Sequence, residues 1–228
     1  MAEERTARQP DPHKAQQIAV VGKKGEGKTE LAWRLFETYP FDKVVIDPNG
    51  DIKVPEDVLE FEDPLPSRWP VSAFKRDKRQ TARYVPDFGH PSFMENIDRV
   101  IGLAYGHRKT CVFIDECHEA APAGRTPPHA RRALRQGRHH DLTSIWATPR
   151  PMTIDPLIIA NADWVYVFKL PNPADRKRVA ETIGWHPKDF DAAVHDLGSH
   201  EYLRFDSAKD DLAHFPPLPA SLLSHHKG

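Results

Sequence analysis

Short apolar runs alternate along the chain with segments whose apolar residues recur at helical spacing. The run "QQIAVVG" (16–22) is rich in β-branched residues and ends in glycine, which is typical of a buried strand. In the next segment (27–39) the apolar residues lie on one helix face, and Pro40 follows the end of the pattern. The same reasoning predicts strands at 42–51, 81–86, 110–116, 142–148, 162–170 and 201–205, and helices at 92–107, 128–139, 155–160 and 173–183.

The alternation of strands and helices predicts an α/β fold with a mainly parallel central sheet and helices on both faces. The run "TCVFIDE" (110–116) is apolar almost throughout, as expected of a central parallel strand that is covered on both faces. With 228 residues the chain can form one such domain with a full core. We predict a single domain over 15–210, a disordered lead-in over 1–14 and a Pro/His-rich C-terminal tail over 211–228.

The first strand and helix are joined by "GKKGEGKT" (22–29), which matches the phosphate-loop pattern G-x-x-x-x-G-K-[ST]. Glycines let the backbone turn so that N–H groups point at a phosphate, and the helix adds its positive end. We expect Lys28 to reach the β- and γ-phosphates and Thr29 to ligate Mg²⁺ through its hydroxyl. The alternative is a glycine turn without a ligand. The predicted nucleotide-binding residues are Gly22, Lys23, Lys24, Gly25, Glu26, Gly27, Lys28 and Thr29, and for Lys23 and Lys24 solvated side chains are expected rather than catalytic ones.

A pair of acids ends the strand "CVFIDE". Asp115 is predicted to hold Mg²⁺, and Glu116 to polarise the attacking water as a general base. The alternative for both is an ordinary turn at a strand end. A glutamate beside the metal-binding aspartate favours hydrolysis over a kinase, which must keep water away from its acceptor. The long interval between Lys28 and Asp115 leaves room for an intervening strand, as in the RecA-like (ASCE) division of P-loop NTPases.

The segment "RRALRQGRHHDLTSIWATPRPMTIDPLIIANADWVYVFKL" (131–170) resembles the HerA/FtsK superfamily of ATPases. The phrase "ATPRP" (147–151) is similar to the family's "ATQRP", and "VVIDPNGD" (44–51) resembles the segment after the family's second strand. In size the chain is similar to the compact genome-packaging ATPases of membrane-containing icosahedral viruses. The resemblance implies a hexameric ring that hydrolyses ATP with Mg²⁺, moves double-stranded DNA into a capsid, and docks on a capsid or portal-vertex protein.

One position departs from the family. Pro149 stands where the family has a glutamine that senses the γ-phosphate, and proline cannot donate a hydrogen bond from its side chain or its nitrogen. We expect that Thr148 or Arg150 takes over this role, or that the sensing geometry differs.

Arginines between 131 and 150 have a possible catalytic use in a ring. A neighbouring subunit can supply an arginine that stabilises charge on the transferred phosphoryl group. Arg135 and Arg138 are the predicted candidates, with Arg150 as a further one. The alternative for the first two is a solvated basic helix face.

Overall charge excludes a polycation, because 32 basic residues face 33 acidic ones and the formal net charge is −1. Contact with DNA would therefore require a local patch. The stretch "FKRDKRQTAR" (74–83) holds five basic residues and one acidic residue. Repeated around a ring, it could contact phosphates without reading sequence, and salt would weaken this binding. On a monomer it would be an ordinary solvated loop.

Other functions stay open. A filamentous-phage assembly or conjugation-type ATPase would share the fold, a nucleotide-dependent switch would lack translocation, and a kinase would need an acceptor site. The sequence contains no apolar run long enough to cross a bilayer, and its charged first residues do not resemble a signal peptide. We therefore expect the protein in the cytoplasm, or in the virion if it is viral.

Overall fold

A computed structural model describes residues 9–56, 58–63 and 81–219 of the chain. Nine strands in these residues form one sheet. The strands are β1 (Gln17–Val21), β2 (Asp42–Ile46), β3 (Leu59–Glu62), β4 (Thr81–Val85), β5 (Thr110–Ile114), β6 (Leu142–Thr148), β7 (Trp164–Val167), β8 (Tyr202–Asp206) and β9 (Asp211–Phe215). The helices are α1 (Lys28–Thr38), α2 (Phe93–His107), α3 (Pro128–Gln136), α4 (Leu157–Ala160), α5 (Pro173–Ile183) and α6 (Pro187–His195).

The sheet is parallel except at one side. Its strand order is β3-β4-β2-β5-β6-β1-β7-β8-β9. All neighbours from β3 to β7 pair in parallel, whereas β8 and β9 are added antiparallel. This arrangement confirms the predicted α/β fold with a mainly parallel central sheet.

The core lies in two layers, one on each face of the sheet, because successive strand residues point to opposite faces. In β1, Ala19 and Val21 pack into the layer that α2 to α6 cover, and Ile18 and Val20 pack into the layer that α1 covers. Burying one large apolar side chain contributes about 1.5–3 kcal/mol relative to leaving it exposed. Helix packing therefore stabilises both faces of the sheet, although five of the α-helices in the described residues lie on one face and one lies on the other.

Among the strands and α-helices of the described residues, three are absent from the sequence prediction: β3, α6 and β9. The predicted tail is wrong for its first residues, because Asp211–Phe215 pairs along β8 as an edge strand and Phe215 stacks on Tyr202 at 5.4 Å between ring centroids. Of the predicted lead-in, residues 1–8 lie outside the described part, whereas Gln9 accepts a hydrogen bond from Arg204. Helix α3 ends at Gln136, and a turn of 3₁₀ helix continues over Gly137–His140.

Within the described part of the chain, no helix has both the length and the apolar character that a bilayer span needs.

Candidate nucleotide-binding site

The phosphate loop and the acidic pair meet at the carboxyl edge of the parallel strands. The loop follows β1 and the acids follow β5, with β6 between the two strands. This edge is where ligands bind in open α/β sheets. The predicted intervening strand is present, but it follows the acids in the chain. The strands that the described residues form between the loop and the acids are β2, β3 and β4, which lie on the far side of β5.

Two glycines give the phosphate loop its shape. Gly22 has a φ of 149°, and a Cβ built on it would lie 2.4 Å from the Cβ of Phe168, so any side chain would collide. Gly27 has a φ of 93° and precedes the first residue of α1. No described side chain caps this helix. Its first N–H groups are therefore available for an anion, and the helix dipole favours one.

Lys28 is inside the loop. It is 6% exposed, and its Nζ donates to the carbonyl oxygen of Lys23 at 3.0 Å. Burial lowers the pKa of Lys28, although Asp115, Glu116 and Glu26 act in the opposite direction. A triphosphate at this position would bring the negative charge that a buried ammonium lacks.

Thr29 and Asp115 lie side by side. The Thr29 hydroxyl donates to Asp115 Oδ2 at 3.2 Å. Burial, and then the neighbouring charge of Glu116, raise the pKa of Asp115 to about 7, although Lys28 opposes the rise. A divalent cation would reverse this shift. The hydroxyl and the carboxylate suit Mg²⁺, which takes oxygen ligands and completes its shell with water and substrate phosphates. In the described ranges no cluster of three or more His, Cys, Asp or Glu side chains could hold a metal alone.

Glu116 occupies a sharp turn directly after Asp115. Its φ of 45° is in the left-handed region, which costs about 1–3 kcal/mol for a residue that is not glycine. Its Oε2 lies 3.3 Å from His118 Nδ1, but the two atoms are not aligned for a hydrogen bond. Both are buried and have no hydrogen-bond partner among the described residues. A carboxylate oxygen left in this state can accept a proton from a bound water.

The remaining loop side chains divide into two kinds. Lys23, Lys24 and the backbone of Gly25 are exposed, whereas Glu26 is buried. Lys23 Nζ pairs with Glu26 Oε1 at 2.9 Å, so the Lys23 side chain is engaged within the loop. Burial alone would raise the pKa of Glu26, but the backbone N–H of His200 and the Lys23 ammonium outweigh it and lower the pKa.

A second buried acid beside the site is missing from the sequence prediction. Asp47 follows β2 as Asp115 follows β5, and its charge contributes to the raised pKa of Asp115. Arg83 donates to Asp47 Oδ2 from Nε at 3.0 Å and from Nη2 at 2.7 Å. The repeated pattern of an apolar run and an aspartate, in "VVIDPN" and "CVFIDE", is the signal that could have identified it.

This ion pair corrects the prediction of DNA contact for one residue of the basic stretch 74–83. Arg83 is buried in β4 and bound to Asp47 and Glu60, so it is not a DNA contact. Residues 74–80 of the stretch lie outside the described residues.

The three candidate arginines occupy two edges of the sheet. Arg138 Nη1 donates to Oδ1 of Asp163, the residue directly before β7, at 2.6 Å. Arg135 is exposed and follows Leu134, whose carbonyl oxygen accepts a hydrogen bond from the Asn161 side chain, also shortly before β7. Both therefore lie at the amino edge, opposite the phosphate loop, and neither reaches that loop within the same chain. Arg150 is exposed at the carboxyl edge after β6. Its backbone N–H donates to the buried hydroxyl oxygen of Thr148 at 3.1 Å, next to Pro149.

Comparison by sequence finds no relative: no protein-family model matches the chain, and no curated protein does. Comparison by structure finds solved proteins of similar fold. The genome packaging NTPase B204 from Sulfolobus turreted icosahedral virus 2, in complex with ATP-gammaS, matches with a TM-score of 0.70 at 17% identity, over 91% of this chain and 99% of that one.

Two further solved structures are similar. B204, the DNA-packaging ATPase from Sulfolobus turreted icosahedral virus, gives a TM-score of 0.65 at 18% identity, over 91% of this chain and 100% of that one. VirB4 of Thermoanaerobacter pseudethanolicus gives 0.62 at 8% identity, over 93% and 92% of the two chains. At such identities the likeness concerns the fold. The predicted RecA-like fold is confirmed, and the two B204 packaging ATPases share it.

Proposed function

We propose that this chain is a Mg²⁺-dependent ATPase that assembles as a ring and moves double-stranded DNA, with packaging into a viral capsid as its task. One observation carries the ATPase part of the proposal. The Thr29 hydroxyl and the Asp115 carboxylate lie 3.2 Å apart beside the uncapped start of α1 and the buried ammonium of Lys28. This combination of ligand oxygens, free amides and a buried ammonium fits a metal-bound triphosphate.

The residues divide the reaction between them. The amides of 22–29 and the start of α1 bind the phosphates, and Lys28 holds the β- and γ-phosphates. Bound Mg²⁺, held by Thr29 and Asp115, would neutralise charge on the phosphate oxygens. Glu116 accepts a proton from water as the water oxygen bonds to the γ-phosphorus and the bond to the β-phosphate oxygen breaks. ADP and inorganic phosphate leave, and the proton passes from Glu116 to solvent.

The motor part of the proposal draws on the structural neighbours. The B204 proteins are described as genome packaging NTPase and DNA-packaging ATPase, and they match nearly the whole of this chain. Because Arg135 and Arg138 cannot reach the site of their own subunit, they could act only across a subunit contact. Double-stranded DNA is the proposed cargo, held by phosphate contacts without sequence reading. A capsid or portal-vertex protein is the proposed docking partner.

A conjugation-type ATPase is the second candidate. The pCW3 conjugation coupling protein TcpA matches 90% of this chain and 61% of its own with a TM-score of 0.54 at 13% identity, so a similar fold accommodates this function as well. A DNA-independent switch is the third.

One experiment separates the candidates: ATP hydrolysis by the full chain, with and without duplex DNA, across a salt series, alongside light scattering for mass. We expect DNA to stimulate hydrolysis, salt to remove the stimulation, and nucleotide to favour an assembly several subunits in size. A monomer whose hydrolysis ignores DNA would support the switch and contradict the motor. Packaging is separated from conjugation by binding to an isolated capsid or portal protein, which only packaging requires.

A further inference from the structure

A buried carboxylate sits in the middle of the phosphate loop. Glu26 is 4% exposed. A carboxylate in a loop that holds a triphosphate repels its own ligand, and the repulsion is strong where water is excluded. The side chain therefore needs a function that compensates for this repulsion.

The contacts of Glu26 lead out of the loop. Its Oε2 accepts the backbone N–H of His200 at 2.9 Å, and its Oε1 pairs with Lys23 Nζ at 2.9 Å. His200 belongs to the turn 198–201, which joins α6 to β8. The same carboxylate thus connects the phosphate loop to a segment that is 174 residues away in the chain.

The turn 198–201 is itself held in place. Gly198 N–H donates to Glu201 Oε2 at 2.8 Å, and His214 Nε2 of β9 lies 3.0 Å from the same oxygen. His200 has a φ of 63°, a left-handed conformation that persists only where surrounding contacts impose it. Its Cδ2 lies 3.7 Å from the position that a Cβ on Gly27 would take. The turn therefore packs directly on the loop.

Lys23 is the second connection. Its ammonium pairs with Glu26, its carbonyl accepts from Lys28 Nζ, and its N–H donates to the carbonyl of Lys169. Lys23, whose carbonyl orients the Lys28 ammonium, is thus held in place by its ion pair with Glu26. Lys24, the adjacent lysine, is exposed as Lys23 is.

We propose that Glu26 is a positioning residue that binds the phosphate loop to the 198–201 turn, and that this link holds the loop in the shape that receives a nucleoside triphosphate. Lys23 then acts as the partner of Glu26, and its ammonium is not a phosphate ligand. Nucleotide binding is coupled through the turn to the β8–β9 hairpin. The inference rests on the proposed nucleotide site.

The test measures the Kd of a fluorescent ATP analogue, with KM and kcat, for the full chain and its variants. Glu26→Ala should weaken binding roughly tenfold, the effect of losing one charged hydrogen bond, and should raise KM more than it lowers kcat. Glu26→Gln keeps an acceptor for the His200 N–H, so it should recover much of the affinity. Wild-type affinity in Glu26→Ala would overturn the proposal.

The two lysines provide a matched control. Lys23→Met and Lys24→Met each remove one positive charge from the loop, so their general electrostatic effects on an anionic ligand are alike. We expect Lys23→Met to weaken binding severalfold more than Lys24→Met, and to be non-additive with Glu26→Gln. Equal effects of the two lysine variants would contradict the role of Lys23.

Amide hydrogen exchange separates this inference from the nucleotide function. In Glu26→Ala the His200 amide should lose protection, whereas in Glu26→Gln it should keep most of it. If the wild type binds no nucleotide, the proposed function fails while the exchange result still decides whether the link exists. Unchanged protection of His200 in Glu26→Ala would overturn the link even in a protein that binds ATP.

Discussion

The neighbouring strands β2 and β5 end alike in sequence and differ in chemistry. Ile46 and Ile114 are paired across the two strands, so the aspartates that follow them, Asp47 and Asp115, are neighbours at the same edge. Asp47 accepts two hydrogen bonds from Arg83 and two from the backbone N–H groups of Asp51 and Ile52.

Asp115 lacks such a partner set. Its side chain receives the Thr29 hydroxyl, and burial raises its pKa to about 7. A buried carboxylate is thus structural when the protein supplies its counter-charge, and it becomes available for a ligand when the protein does not. Asp47 has such a counter-charge because Arg83, 36 residues further along the chain, is its partner.

The strongest test concerns the acid that follows Asp115. Glu116→Gln should retain ATP binding and lower turnover by roughly 10²–10⁴-fold, because an amide cannot take the proton from water. The measurement is steady-state hydrolysis together with the Kd for ATP. Glu119→Gln is the matched control, since Glu119 also lies 3.3 Å from His118, and it should hydrolyse ATP at close to the wild-type rate. Retained hydrolysis in Glu116→Gln would assign the base to another group.

Stability separates the two aspartates directly. Asp47→Ala leaves the Arg83 guanidinium buried without its main partner, and should reduce the free energy of unfolding by about 3–5 kcal/mol in urea titrations. Asp115→Asn removes a poorly compensated buried charge, so it should not reduce that free energy in the absence of nucleotide. A comparable loss of stability in both variants would remove the distinction between them.

A smaller effect is expected at the loop that faces Asp115. Gly22→Ala places a methyl group against Phe168 at a backbone angle that alanine avoids, and should cost about 1–3 kcal/mol of stability and weaken ATP binding. Gly106→Ala is the control, because its added Cβ would meet nothing within 4 Å and alanine favours the helix. The free energy of unfolding and the Kd for ATP would be measured for both. Equal stability of the two variants would show that the loop tolerates a side chain.

The smallest effect is expected for an exposed ion pair. It tests whether burial, and not the ion pair itself, gives Arg83 its contribution to stability. Arg138 pairs with Asp163 at 2.6 Å, but its side chain is half exposed. Arg138→Ala should therefore change the free energy of unfolding by only about 0.2–1 kcal/mol in urea titrations. A loss as large as that of Asp47→Ala would show that exposure does not govern the contribution of these ion pairs to stability.

Loss of hydrolysis at unchanged stability in Arg135→Ala, Arg138→Ala or Arg150→Ala would assign the arginine that acts between subunits.

The parts that sequence predicts well are those whose chemistry is contiguous in the chain. The candidate phosphate loop is read from eight successive residues, 22–29, which form a glycine turn before the uncapped start of α1. The central strands are predicted because their apolar runs are long and uninterrupted. The strand β9 could not be predicted, because "DLAHF" is a half-exposed edge strand whose partner, β8, supplies its hydrogen bonds.

The sequence by itself determined the α/β alternation and the candidate phosphate loop and acidic pair, because local spacing encodes each of them. Only the tertiary structure decided which charges neutralise each other: Arg83 with Asp47, Arg138 with Asp163, and Glu26 with Lys23 and the N–H of His200. The physical reason is that ion pairs and buried hydrogen bonds depend on distances in space, which the order of strands in the sheet sets. That order brings residues together irrespective of their separation along the chain.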